Sequence, residues 1–383
     1  MCTDSTRLNR TLSRMARLLG TVGLLQMLGC TELNVAREPA PQPLTKAPLA
    51  LPLDSHRFRF DPRHDDVVGE IQVVEALPGE SLPDIARRFN LGFDEIRHAN
   101  PDVDTWLPGV GTKVVLPTRF VLPNAPRVGV VINLAAMRLY RFLPATADGL
   151  AEVITHPVGI GREGWRTPLG ATKVTRRVVG PKWYPPASIR AEHRKEGDLL
   201  PAVVPAGPDN PLGTHALKLG WPSYLIHGTN KAYGVGMRSS HGCIRLYPED
   251  ILVLFETVPV GTPVVIVNQP FPVGRAGNEL VLQAVGPLAD DKRAWRDHLP
   301  KLFKAALSAP VRARLKDATF KLDWEHLRPV LEARRGIAVP LTNPQISIEQ
   351  AIAAAPRVEN VLPRGATWDG KDIESPVQAN DAQ

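Results

Sequence analysis

Residues 224–229 read YLIHGT and, after a glycine-bearing loop, residues 238–246 read RSSHGCIRL. The first segment is an apolar run closing on His227, the pattern of a strand that delivers an imidazole at its end. The second sets Cys243 between Gly242 and Ile244, shortly before a helix-forming stretch at residues 248–258. A thiolate attacks far better than a thiol, and a nearby imidazole is the usual means of generating one. The pair therefore nominates Cys243 as nucleophile and His227 as its general base. Standing before a helix, Cys243 is expected to have its pKa lowered by the helix N-terminal dipole. Gly242 lets the backbone turn sharply beside the sulfur, so that nearby amides face a substrate oxygen. Such an oxyanion hole contributes on the order of 3 kcal/mol per donor. A backbone carbonyl can hold the second imidazole nitrogen, without an Asp or Asn.

Outward from this pair, strand-like runs recur with turn signals between them, at residues 128–134, 139–142, 151–158, 171–179, 216–219, 224–227 and 262–267. Many short strands with few helical periods indicate a β-rich sandwich or barrel, with 248–258 its one clear helix. Upstream, residues 70–117 form a smaller unit. Strand candidates at 71–74 and 112–116 flank a helix capped by Ser81, with Ile85 and Phe89 four apart, and a second short helix bearing Ile96. Downstream, 290–309 and 325–335 read as amphipathic helices, the second closed by Gly336, and 347–350 has capping-box spacing. The last ~20 residues are polar and are expected to be disordered.

A chain of 383 residues predicts two or three domains, and 43% hydrophobic content is enough for a core. Arg7, Arg10, Arg14 and Arg17 precede an apolar stretch, 18–29, ending at Cys30. That is the layout of a secretory leader, too short to span a bilayer; initiation at Met15 would shorten it. Residues 31–66, rich in Pro, Ala and Arg, read as a tether. Of three cysteines, only Cys243 lies inside the folded part. In an oxidising compartment a solitary thiol makes no bridge within the chain and needs another reason to be there. The charge of +7 fits an anionic surface such as cell wall, and no basic run with interleaved aromatics points to nucleic acid. His227, His241 and Cys243 are also donors that suit zinc, but no fourth ligand stands nearby, so no cofactor is expected. Two blander alternatives stand beside these: an inert buried cysteine, and a non-catalytic wall anchor, which would predict a degenerate cysteine or base.

The stretch HGTNKAYGVGMRSSHGCIRL, together with GIGREGWRTPLG at 159–170, closely resembles the L,D-transpeptidase family with a YkuD-type β-sandwich, whose signature is SHGC. The resemblance implies a mainly β catalytic domain over 120–268. It implies Cys243 as nucleophile, His227 as base, Gly228 O orienting His227, and His241, Gly242 and Cys243 forming the oxyanion site. Ser240 would support the loop, Arg245 would shape the pocket or pair with a substrate carboxylate, and Tyr233 and Gly234 would line the mouth. Residues 67–119 resemble a βααβ LysM module, which implies glycan contacts from Gly79, Glu80, Ser81, Leu82, Asn100 and Pro101. Residues 27–30 resemble a lipobox, which implies a leader over 1–30 and lipidation at Cys30. Residues 269–383 are then a partly helical extension. The domain order resembles the branch that attaches an outer-membrane lipoprotein. The implied partners are peptidoglycan stem peptides, glycan strands and that lipoprotein as acceptor. The implied location is the periplasm, with the membrane reached only through a lipid. A hydrolase or carboxypeptidase of the same fold is the neighbouring possibility.

Overall fold

Every residue of Gly129–Asn133 is buried, which a strand achieves only when both of its faces are covered. Val130 and Ile132 face one core, shared with Leu217, Ile226 and Ile244, while Val131 faces another, shared with Leu82, Ile85 and Phe89. The two covers define the architecture.

The computed structural model describes residues 49–316, 324–341 and 346–369. The leader, Cys30 and the last fourteen residues lie outside that range. In chain order come β1 (Arg57–Phe60), β2 (Val67–Gly69), β3 (Gln72–Glu75), α1 (Leu82–Arg88), α2 (Phe93–Ala99), β4 (Lys113–Leu116) and β5 (Arg119–Val121). Then follow β6 (Gly129–Asn133), β7 (Arg138–Leu143), β8 (Ala151–Pro157), β9 (Ile160–Gly161), β10 (Gly170–Val179), α3 (Ala187–Lys195) and β11 (His215–Leu219). The segment that carries the decisive motif holds β12 (Leu225–His227), a 3-10 turn (Ala232–Gly234), β13 (Arg238–Ser240), β14 (Ile244–Arg245), α4 (Pro248–Thr257) and β15 (Pro263–Val267). The extension holds β16 (Val273–Ala276), β17 (Glu279–Gln283), α5 (Trp295–Ala306), α6 (Ala309–Arg314), α7 (Trp324–Ala333), β18 (Ala338–Pro340) and α8 (Ile348–Ala354).

The fold is mainly β. Nine strands form one sheet in the order β1-β8-β7-β6-β15-β10-β11-β12-β14. The sheet curls so that residues of β6, β7 and β15 meet residues of β11, β12 and β14 across a shared apolar core, closed by Ile251, Leu254 and Val258 at α4. The β3–α1–α2–β4 unit packs its helices on the outer face of the same sheet, against Val131, Tyr140, Phe142 and Val153. Each fully buried Leu, Ile or Phe there contributes roughly 1.5–3 kcal/mol. Buried polar groups fix the register: Arg138 donates to both Glu95 oxygens at 3.0 and 2.7 Å and stacks on Phe120 at 4.1 Å. One core thus runs through residues on both sides of 119/120.

Three expectations are corrected. Arg57–Phe60, placed in the tether, is an edge strand antiparallel to β8, its two phenylalanines buried and its two arginines exposed. Helix α3 was not anticipated, because only Ile189 of its residues is buried and no apolar stripe marks it. The first helix of the extension starts at Trp295 rather than at residue 290, since Asp291 instead accepts from Arg293 and from the Trp295 indole. The extension is partly helical, as expected, and also carries strands. The β16–β17 hairpin and β18 form a three-stranded sheet. With Phe303, Leu327 and Leu331 it covers the far side of the βααβ unit at Val73 and Val115. Beyond α8, Val358 N–H donates to Val73 O at 2.9 Å and Thr367 Oγ1 to Asp250 Oδ1 at 2.6 Å, strapping the unit to α4. No helix among the described residues is long and apolar enough to cross a membrane.

Candidate active site

β12 and β14 pair in parallel, with Ile226 opposite Ile244 and His227 opposite Arg245. Since side chains alternate along a strand, extending this register by one residue sets Cys243 opposite Leu225. His227 then lies on the same sheet face, one diagonal step from the sulfur. Both apolar members, Ile226 and Ile244, turn into the core beneath. Two short strands thus place base and nucleophile on one rigid surface.

His227 is buried, and its Nδ1 lies 2.6 Å from Gly228 O. A carbonyl only accepts, so Nδ1 carries the hydrogen and Nε2 keeps its lone pair. Burial first, then the positive charge of Arg245, lowers the imidazole pKa to about 3. Cys243 is half-buried, and its Sγ donates to Ser223 O at 3.6 Å. Burial raises the thiol above its ordinary 9.0, opposed by a hydrogen bond from the Leu225 backbone and by the Arg245 charge. The resting pair is therefore a neutral thiol beside a neutral imidazole. This corrects the expected helix-dipole activation: β14 intervenes between Cys243 and α4, and the sulfur does not sit at a helix N-terminus.

A kinetic consequence follows. Alkylation of Cys243 by iodoacetamide is expected to rise with pH through a midpoint above 9, the ordinary thiol value, with no acid-side limb near 6.5, because His227 stays unprotonated down to about pH 3. A midpoint near 7 would show a preformed ion pair and contradict this electrostatic account.

The loop entering Cys243 is braced by Ser240, whose Oγ donates to Cys243 O at 2.6 Å and accepts from Gly242 N–H at 3.2 Å. That second bond corrects the oxyanion expectation for Gly242, whose amide is already engaged. The amides of His241 and Cys243 have no protein acceptor among the described residues. Gly242 is at φ +103°, and a Cβ there would lie 3.0 Å from the Tyr224 ring, so only glycine suits the turn. Arg245 is half-buried, its Nη1 donates to Ser239 Oγ at 3.4 Å, and its buried Nε has no partner. Tyr233 is exposed at the rim of the turn, while Gly234 is buried against the loop.

The candidate glycan residues do not assemble as a surface. Leu82 and Asn100 are buried, and the Asn100 amide bonds Ile96 O, Val115 O and Val115 N–H across the unit. Glu80 is also buried, accepting from Leu77 N–H and Asn360 and pairing with Arg88. Ser81 caps α1 in a capping box. Gly79 and Pro101 are exposed.

Several site residues had not been singled out. Thr167 Oγ1 donates to Gly242 O at 2.9 Å, a role unmarked within the 159–170 motif. Ser223, at φ +69°, supplies the carbonyl that holds the thiol. Glu192 on α3 lies 3.1 Å from His241 Nε2 and pairs with Arg162, which holds its carboxyl down at about 2. The Trp165 ring meets His241 edge-on at 4.7 Å. None of these has a local sequence signal, because each acts through a tertiary contact.

A histidine held by a backbone carbonyl thus closes one strand, and a half-buried cysteine immediately precedes the parallel strand beside it. The family model for the L,D-transpeptidase catalytic domain, YkuD, matches residues 127–266, and the chain belongs to this L,D-transpeptidase family. It is 40% identical over 305 residues to the probable L,D-transpeptidase YcfS of Escherichia coli, covering 78% of this chain and 92% of that protein. It is 39% identical over 291 residues to the probable L,D-transpeptidase ErfK/SrfK of Salmonella typhimurium, covering 74% and 91%. It is 47% identical over 207 residues to the probable L,D-transpeptidase YbiS of Escherichia coli, covering 53% and 66%. The two longer matches extend beyond the catalytic domain.

Proposed function

We propose that the protein is a peptidoglycan L,D-transpeptidase of the cell envelope working through a Cys243 thioester. The observation that carries this is the parallel pairing of the strand ending at His227 with the strand that follows Cys243, together with the 2.6 Å approach of His227 Nδ1 to Gly228 O. When a donor tetrapeptide stem enters, His227 Nε2 takes the thiol proton as sulfur attacks the carbonyl of the diaminopimelate residue. The amides of Cys243 and His241 receive the developing oxyanion. His227 returns the proton to the nitrogen of the departing D-alanine, leaving the thioester. An amine then attacks, His227 takes its proton, and the thiol is restored. The acceptor is the diaminopimelate of another stem or a lipoprotein lysine. Arg245 beside His227 is placed to bind a carboxylate on the leaving or entering amine, since both exchange protons with the same imidazole.

The βααβ unit resembles a LysM module and supports contact with glycan strands through its exposed Gly79 and Pro101 and the Ser81 turn. One experiment tests both readings. Full-length protein or its Cys243→Ala variant is incubated with tetrapeptide-rich sacculi, muropeptides are resolved by mass spectrometry, and bound protein is sedimented. Loss of D-alanine with 3→3 dimers, absent with the variant, identifies a cross-linking enzyme. Tripeptides without dimers point to a lipoprotein lysine or to water as acceptor. No cysteine-dependent change would refute the proposal, and a variant that stays in the supernatant would refute glycan binding.

A further inference from the structure

The loop joining base to nucleophile, residues 228–242, is gripped at its apex by the βααβ unit. Phe93 N–H donates to Val235 O at 3.1 Å and Asp94 N–H to Gly236 O at 3.1 Å. These amides open α2, where a helix leaves its first N–H groups without intrahelical partners. The approach is backbone against backbone: a Cβ on Gly92 would come 2.7 Å from Gly236 Cα. One on Gly236 would come 2.3 Å from Phe93 N, and Gly236 is itself at φ +79°. The opposite side of the loop is tied to the sheet, through Ile160 N–H to Met237 O at 3.0 Å and Gly228 N–H to His215 O at 3.2 Å. The unit is in turn immobilised on the sheet. Arg138 pairs with Glu95 of α2, Arg87 pairs bidentately with Glu249 of α4 at 2.9 and 3.0 Å, and Tyr247 OH donates to Leu91 O at 3.0 Å.

We infer that the βααβ unit is a positioning element of the catalytic centre, fixing through Gly92 and the amides of Phe93 and Asp94 the loop that spans His227 to Cys243. A unit serving only to hold the enzyme on the wall has no need to touch this loop. Here the contact falls between the two reacting groups. Displacement of the apex is transmitted to Gly228 O, which holds the His227 tautomer, and to Ser240, which braces Cys243. The inference rests on the pairing of His227 with Cys243 proposed above. It assigns no new chemistry to the unit: Gly92, Phe93 and Asp94 act through the loop.

The test is Gly92→Ala in the full chain. Gly92 sits at φ −88°, ψ 162°, which alanine adopts freely, so the added methyl is opposed first by Gly236 Cα at 2.7 Å and then by Pro157 Cβ at 3.3 Å. The expected result is a kcat for D-alanine release from a soluble tetrapeptide lowered about 10- to 100-fold, with KM within about twofold, as for a small misplacement of reacting groups. The loosened loop also admits water, so the midpoint of Cys243 alkylation moves down toward the ordinary 9.0. Arg127→Met removes an ion pair with Asp66 that involves neither α1, α2 nor the loop; it is expected to lower Tm while leaving kcat and the alkylation midpoint unchanged. Wild-type kcat and midpoint in folded Gly92→Ala would overturn the inference, as would Arg127→Met reproducing both changes. Alkylation needs no substrate, so an error in the proposed stem-peptide substrate would silence the turnover assay and leave the midpoint comparison intact.

Discussion

Replacing Cys243 by alanine is expected to lower release of D-alanine from a tetrapeptide stem by about 10⁴-fold or more, the scale seen when a covalent nucleophile is deleted. Nothing else in the site can take over. Ser240, the nearest hydroxyl of the motif, donates to Cys243 O and accepts from Gly242 N–H, so it is committed to holding the loop. Cys243 is the only free cysteine among the described residues. Removal of one half-buried sulfur also leaves the frame of β12, β14 and Thr167 in place, so the variant should fold and still bind substrate. Quantifying D-alanine at enzyme concentrations matched by circular dichroism checks this. A loss smaller than tenfold would mean that the thiol is not the nucleophile.

The second large effect is expected at His227. Substitution by alanine should reduce acylation about 10³- to 10⁴-fold near neutral pH, toward the upper end of what a positioned general base supplies. The upper end applies because burial holds the thiol in its neutral form, so ionisation without a base is costly. The direction with pH is equally specific. In the wild type His227 remains neutral down to about pH 3, so acylation should show no loss on acidification through 6.5. In the variant the thiol must ionise unaided, and the rate should climb about tenfold per pH unit until the thiol pKa is passed. Rapid-quench measurement of acylation between pH 5 and pH 10 separates the two profiles, and a flat variant profile would argue against His227 as the base.

Much of the strand pattern was legible because it is local: apolar runs such as residues 128–134 and 262–267 need both faces covered wherever they pack. The clustering of the candidate site residues was legible for the same reason, since His227, Ser240, Gly242 and Cys243 lie within one short motif. What the sequence concealed was made by long-range pairing. Ile244 and Arg245 form only a two-residue strand, and nothing local announces that it docks in parallel on β12 and so separates Cys243 from the helix dipole. Glu80 and Asn100 look like surface polar residues of a binding module. Asn360, from the far end of the chain, covers the first, and strand β4 consumes the amide of the second. The Gly92–Gly236 contact joins two glycines that are each unremarkable in sequence. Only the fold shows that a Cβ on either would press into the backbone of the other segment.

The central claim is that Cys243 carries the donor stem as a thioester, and intact-protein mass spectrometry tests it most directly. The enzyme is mixed with excess tetrapeptide donor, no added acceptor amine is supplied, and the reaction is quenched in acid within the first turnover. The account predicts a mass increase equal to the donor less D-alanine, located on the peptide containing Cys243, removed by hydroxylamine and absent from Cys243→Ala. Turnover of the donor with no covalent species at any quench time, or an adduct that persists in Cys243→Ala, would contradict it.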